Sequence, residues 1–323
     1  MDPVTMEWES RLGHRLRVRD LHILSVVVKA GGMAKAARQL AMTQPSVSAA
    51  IANLEHVLGV RLLDRSRRGT EPTIYAAAIL KRGVAVFDEL KQIVHDINFL
   101  ADPAKGELRI GCSESVNATV LPRFIEAFSR RFPKVVVHVD DVPPPAIASA
   151  GLYERKFDIV FARLSPATPD TQPDAGLTVE YLFNDPLVIV SGPDHRWARR
   201  RKIALAELMD EPWILTPPGT WNDVCMTEAC RLQGLDLPKA RLLAFSTHLV
   251  RHFVANGDFL TTCARTVAEA CGLKVLPVEL PNRPWMLALV TLRDRTLSPV
   301  AERFIECARA VSKEVSPPSV AQR

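Results

Sequence analysis

The stretch Thr43–Leu58, TQPSVSAAIANLEHVL, constrains this chain more than any other. Val47, Ile51, Leu54 and Leu58 recur at spacings of four, three and four, which puts them on one face of a helix. Thr43 suits the N-cap, and Pro45 falls in the first turn, where its missing N–H costs nothing. Gln44, Ser46, Ser48 and Ala49 stay off the apolar face near the N-terminal end. Such short, uncharged, mostly hydrogen-bonding side chains let a helix approach a surface closely and read its donors and acceptors. A helix entering the DNA major groove by its N-terminus needs this. Taken alone, the stretch is also compatible with an ordinary capped surface helix.

The preceding residues shift that balance. Ala36, Ala37 and Leu40 mark a second short helix, separated by Gly31 and Gly32 from a helix over Leu21–Ala30. Only Ala41, Met42 and Thr43 lie between Leu40 and Gln44. Two helices joined by so short a turn, with alanines where they cross, describe a helix-turn-helix. A helix stop at Gly59, a short apolar strand and the basic turn Arg65-Ser66-Arg67-Arg68 then describe a wing.

On these residues the chain resembles the LysR-type bacterial transcriptional regulators. The matching positions are Ala36, Ala37 and Leu40, then Thr43-Gln44-Pro45-Ser46-x-Ser48, Leu54-Glu55, Leu58-Gly59-Val60 and Leu62-Leu63-x-Arg65. The resemblance implies a DNA-binding face built from Ala34, Lys35, Thr43, Gln44, Pro45, Ser46, Ser48 and Ala49. Arg65, Arg67 and Arg68 would hold phosphates, which position a protein on DNA without reading sequence. Ala34 stands where family members commonly carry Ser or Thr, so one phosphate hydrogen bond is expected to be missing. Glu71 and Pro72 also depart from the pattern, and a carboxylate near phosphates weakens the grip of the wing.

Charge supports a polyanion-binding head. The net charge is +5 over 323 residues, yet residues 11–70 hold eleven Lys or Arg against three Asp or Glu, a local +8 that leaves −3 for the rest. No apolar run of 18 residues and no signal-peptide core are present, so no membrane partner and a cytoplasmic location are expected. Six scattered cysteines have neither metal-ligand nor disulfide-framework spacing, and no metal or other cofactor is expected.

From Thr73 the chain reads as helical to about Ala101, roughly 40 Å at 1.5 Å per residue. Leu80, Val84, Phe87, Leu90, Val94 and Ile97 form a seam for a partner helix, although packing onto the chain's own head would use the same pattern. The resemblance implies an antiparallel linker-helix dimer, and dimers of dimers on an operator with an imperfect inverted repeat. Ile74 and Ala76 replace the Pro and Gly usual at this helix start.

Beyond a hinge at 102–106, strands alternate with helices: 107–111, a helix 115–131, 135–139, a helix 146–153 and 157–162. After a turn-rich stretch at 170–176, strands follow at 187–190, 213–216, 242–245, 259–262 and 288–292, with helices near 222–233, 247–255 and 299–311. Alternation of this kind argues for parallel sheets with covered faces. The expected fold is therefore α/β: an N-terminal winged helix-turn-helix (14–73), a long linker helix (74–102) and a two-lobed, periplasmic-binding-protein-like effector domain (103–312). Lobe I is assigned 104–164 plus 273–312, and lobe II 165–272.

Ligands of such paired lobes sit in the cleft between strand ends. Ser113, Ser115 and Arg163 from the first lobe face Thr216, Pro217, Trp221 and Thr247 from the second as candidate effector contacts. Each of these residues could equally serve as a cap or in a turn. Hydroxyls and helix-start N–H groups suit carboxylate or hydroxyl oxygens, and an indole suits a ring, so the expected effector is a small polar organic metabolite, such as an aromatic acid, hydroxy acid or sugar acid. Glu114 opposes a carboxylate unless it points away or pairs with Arg163.

An enzyme is not expected, because no nucleophile elbow, phosphate loop or metal motif occurs. Some LysR-type regulators sense peroxide through a cysteine pair, and Cys230 resembles the second partner, but Trp221 stands where the first would be. Cys225 and Cys230, five residues apart on a helix, would face about 140° from each other. The reading is a DNA-binding transcriptional regulator responding to a small organic effector, self-associating as dimer or tetramer, with RNA polymerase a further candidate partner.

Overall fold

The computed structural model describes residues 15–66, 69–102, 105–142, 150–166, 174–281 and 285–315. These fall into two compact units that divide between Lys91 and Gln92.

The first unit opens with α1 (Val18–Ala30), α2 (Met33–Gln39) and α3 (Gln44–Leu58). α1 ends at Gly31 and α3 at Gly59, both at φ 70, the left-handed conformation glycine adopts without a Cβ clash. The turn between α2 and α3 places Ala41 at φ 50, a conformation that costs a non-glycine residue about 1–2 kcal/mol. It is fixed by Met42 N–H donating to the Ala37 carbonyl at 2.9 Å. Leu24, Val27, Ala36, Val47, Ile51 and Leu54 fuse the three helices into one core. The alanines permit the close crossing that a larger side chain would prevent.

A hairpin of β1 (Leu63–Ser66) and β2 (Gly69–Pro72) follows, in the register Leu63↔Pro72 and Asp64↔Glu71. Glu55 explains the Leu54-Glu55 pair: its Oε1 accepts from the Leu62 and Leu63 N–H groups at 2.7 and 3.3 Å, tying α3 to the hairpin. Thr73 donates to the Arg61 carbonyl and accepts from Ala76 N–H, capping α4 (Ile74–Ala101). Ala76, which replaces the usual glycine, is fully buried in the head core.

The second unit contains two five-stranded sheets. In the first, β4 (Lys134–Asp141), β3 (Lys105–Cys112), β5 (Ile159–Leu164), β12 (Met286–Leu292) and β6 (Leu177–Asn184) lie in that order. In the second, the order is β11 (Lys274–Val275), β7 (Leu187–Ser191), β10 (Leu260–Ala264), β8 (Trp213–Leu215) and β9 (Ala240–Leu243). Both sheets are mixed, not purely parallel: β12 runs antiparallel to β5 and β6, and β10 antiparallel to β7. Strands that cross between lobes return in the opposite sense, which all-parallel βαβ winding does not provide.

Two boundaries of the sequence reading are corrected. β6 belongs to the first lobe and not to the second, because it pairs along its length with β12. β11 belongs to the second lobe, paired with β7. The helix expected over 115–131 is two, α5 (Glu114–Asn117) and α6 (Leu121–Arg131). The remaining helices are α7 (Trp221–Leu232), α8 (Thr247–Asn256), α9 (Arg265–Cys271) and α10 (Pro299–Val315). α9, like β6, escaped the sequence reading.

Of the expected helix 146–153, only 150–153 lies within the described residues, and it is helical there. Parts of the hinge at 102–106 and the turn at 170–176 likewise lie outside them. The first lobe packs around Phe124, Phe128, Phe161 and Phe304, with ring centroids 5.2–6.3 Å apart. Such aromatics give much buried area at low side-chain entropy cost. Among the described residues, no helix is long and apolar enough to cross a membrane.

Candidate functional site

Two surfaces carry candidate functional residues, one in each unit. In the head, the Thr43 hydroxyl accepts from Ser46 N–H at 3.3 Å and bonds the Ser46 hydroxyl at 2.8 Å, so the threonine is the N-cap of α3. Gln44, Pro45, Ser46 and Ala49 are exposed beside it and Ser48 is half-buried, while Val47, Ile51 and Leu54 face inward. Ala34 and Lys35, on the first turn of α2, are exposed as well. The helix therefore offers water its small polar N-terminal side chains and its positive dipole end, with no acidic residue in its first turn.

Arg65 lies in β1, and Arg67 and Arg68 lie outside the described residues. The hairpin register sets Asp64 opposite Glu71, both exposed, so the wing carries two facing carboxylates where the sequence alone had singled out one.

Along α4 the expected seam divides. Leu80 and Phe87 are half-buried and pack on the head core, with the Phe87 ring edge-on to His22 at 5.8 Å. They serve the chain's own fold, the alternative that the same spacing left open. Val84, Leu90, Val94 and Ile97 are exposed, as are Val86, Ile93 and Leu100. Val86, Leu90, Ile93, Ile97 and Leu100 form an exposed stripe at spacings of four, three, four and three, a heptad pattern offset from the one read in sequence.

In the second unit, a cavity of about 120 Å³ lies between the lobes. Ser113, Ser115 and Arg163 line it from the first lobe, and Thr216, Trp221 and Thr247 from the second. Pro217 is exposed and does not line it; its carbonyl accepts from the Thr220 hydroxyl at 2.9 Å, which is turn duty. Thr220 caps α7, and Asn222 donates to the Thr262 carbonyl at 2.8 Å, holding that helix on β10. Thr220 and Asn222 also line the cavity but were not singled out in the sequence. Thr220 three residues before Asp223 is a capping signature that could have revealed the first. Nothing local marks the second.

Arg163 is the most constrained polar group here. Its Nε and Nη2 donate to Asp185 at 3.2 and 2.9 Å, and its Nη1 donates to the Ser115 hydroxyl at 2.7 Å. Thr266 completes the cluster, donating to Asp185 through its N–H at 3.0 Å and its hydroxyl at 2.8 Å. The guanidinium also sits 5.4 Å from the Trp221 ring centroid. Glu114 does not pair with Arg163: its Oε1 accepts from Thr247 N–H at 3.0 Å, a bond from one lobe to the first turn of α8 in the other.

The cysteines are dispersed and free. Cys225 and Cys230 are both buried, but in different apolar clusters, Cys225 in that of Leu187 and Trp285 and Cys230 in that of Trp213 and Met226. Burial pushes the Cys230 thiol up, and burial plus the nearby Asp141 carboxylate pushes Cys112 up to about 12. Burial raises Cys225 and Cys263 further still. None of these has the lowered pKa of a reactive thiolate.

Comparison with known proteins agrees with this architecture. A family model described as the LysR substrate binding domain matches residues 101–313, and one described as bacterial regulatory helix-turn-helix protein, lysR family, matches 18–77. An uncharacterized HTH-type transcriptional regulator of Escherichia coli K12, YdcI, is 25% identical over 308 residues, covering 94% of this chain and 98% of that protein. A full-length OxyR variant from Pseudomonas aeruginosa shares the fold with a TM-score of 0.63 at 19% identity, over 96% of this chain and 100% of its own. Full-length CbnR in complex with its target DNA gives a TM-score of 0.52 at 20% identity, over 92% of this chain and 100% of its own.

Proposed function

This chain belongs to the LysR family of bacterial helix-turn-helix transcriptional regulators, and from that premise we propose that it reads an operator through the N-terminal face of α3 under control of a small organic molecule held between its lobes. The observation that carries the reading is the exposed, Thr43-capped start of α3, where Gln44 and Ser46 stand free of the core. Gln44 and Ser46 contact base edges, Lys35 and the wing arginines Arg65, Arg67 and Arg68 hold phosphates, and the exposed stripe from Val86 to Leu100 joins two copies. The target is an imperfect inverted repeat, and RNA polymerase is the partner through which the bound protein acts. The lobes are 105–164 with 177–184 and 286–315, and 187–275.

The test is operator binding as a function of salt, on the intergenic DNA beside the chain's own gene. Gln44→Ala changes sequence preference, costing about 1–3 kcal/mol where a good base contact is lost. Arg67→Ala weakens binding to all sequences alike and lowers the magnitude of the salt slope by about one. Altered base preference in Arg67→Ala with an unchanged slope would sink this division of roles. Operator binding that responds to peroxide, and loses that response in Cys230→Ser, would replace the effector with thiol oxidation.

A further inference from the structure

We infer that the interlobe cavity takes an uncharged ligand on the scale of a single ring, bearing a hydroxyl or carbonyl oxygen, and that it excludes carboxylates. The inference rests on reading that cavity as the effector site, and it narrows the small polar metabolite expected from sequence to an uncharged one.

Size comes first. The cavity is about 120 Å³, and an apolar cavity of roughly 150 Å³ holds one benzene. The space between the lobes is thus on the scale of a single ring.

Charge decides the class. Three groups at this cavity would attract an acid, and the protein's own carboxylates already hold two of them. The first is Arg163, whose side chain is 2% exposed and paired with Asp185 at 0% exposure. A second carboxylate there would meet an ion pair that is already neutral, and its lost hydration would go uncompensated. The second is the N-terminus of α8, where Thr247 N–H donates to Glu114 and Leu249 N–H to the Ser246 hydroxyl. An incoming anion would face the Glu114 charge instead of a free helix end. Arg251 also lines the cavity, but it is exposed to water, where an ion pair contributes little.

What remains is apolar wall and hydroxyl. Val142, Phe161, Val250 and the Trp221 indole supply the wall. The Ser115 hydroxyl accepts from Arg163 and lies 3.1 Å from the Ser113 hydroxyl. Its own proton is therefore directed at Ser113 or at a ligand oxygen, and the adjacent guanidinium strengthens it as a donor. A neutral oxygen satisfies that donor without bringing a charge beside the buried Arg163–Asp185 pair.

Calorimetry on the full chain with shape-matched probes tests this: benzyl alcohol and benzamide as neutral rings, benzoate as the acid. The neutral probes should bind at least tenfold more tightly than benzoate, and Ser115→Ala should weaken them. Glu114→Gln and Glu114→Ala should each bring benzoate at least tenfold closer to benzyl alcohol. Benzoate binding wild type as tightly as benzyl alcohol overturns the inference and leaves the effector site standing. A benzoate deficit unchanged in both Glu114 variants overturns the charge argument. Failure of every probe to bind overturns the effector-site reading together with the inference.

Discussion

Arg163 and Asp185 meet at 2.9 Å with both side chains out of water, one on β5 of the first lobe and the other between β6 and β7, where the chain passes from the first sheet to the second. Thr266, at the start of α9 in the second lobe, binds the same carboxylate. The pair thus fastens the first lobe to the second where the chain crosses between the sheets.

Removing one partner leaves a buried charge uncompensated. Asp185→Ala should destabilise the effector half by about 3–5 kcal/mol, measured by chemical unfolding. The double substitution Arg163→Met with Asp185→Leu should recover most of that loss, because no charge then remains buried. A double variant no more stable than Asp185→Ala would mean that the cluster is held by contacts other than the ion pair.

The wing offers a gain-of-affinity test. Asp64 faces Glu71 across the hairpin, and both carboxylates are exposed. If the hairpin lies along phosphates, Glu71→Gln should tighten operator binding modestly, by up to about 1 kcal/mol at low salt, and the gain should fade as salt screens it. Unchanged affinity at every ionic strength would place the wing away from the backbone.

On α4, Ile97→Asp should lower the oligomer mass in sedimentation without unfolding the head, because Ile97 is exposed on the heptad stripe. Phe87→Asp should instead unfold the head, since its ring packs on His22 and the helix core. An oligomer that survives Ile97→Asp would mean that this stripe does not join the copies.

The thiols predict a pH dependence with a definite sign. Cys112 is raised from 9.0 to about 12, so the fold keeps its proton where the unfolded chain would lose it. Its contribution to stability is fully present below about pH 9 and declines as pH rises toward 12. Unfolding midpoints should therefore fall from about pH 8 to pH 10.5 in the wild type and fall less steeply in Cys112→Ala. Iodoacetamide at pH 8 should spare Cys112, Cys225 and Cys263 in the native protein. Rapid native alkylation of Cys112 would contradict the burial argument.

Sequence alone determined what is local. The cap at Thr43, the glycine stops at Gly31 and Gly59, and the apolar face of Val47, Ile51 and Leu54 depend on residues within a turn or two, so their spacing encodes them. The short turn between α2 and α3 was legible for the same reason, and the motifs around it carried the family. Tertiary structure decided whatever depends on a distant partner. β6 joins the first sheet only because β12, more than a hundred residues later, supplies its antiparallel neighbour. Phe87 packs on the head core because the three-helix head reaches it, and a heptad pattern looks the same whether its apolar face meets a partner or its own domain. Glu114 illustrates the limit most sharply. Its sequence neighbours suggested repulsion or a bond to Arg163, while the fold brings Thr247, 133 residues away, to accept that role. Hydrogen-bond partners across such separations are chosen by how the lobes pack, and no local pattern in the chain records that choice.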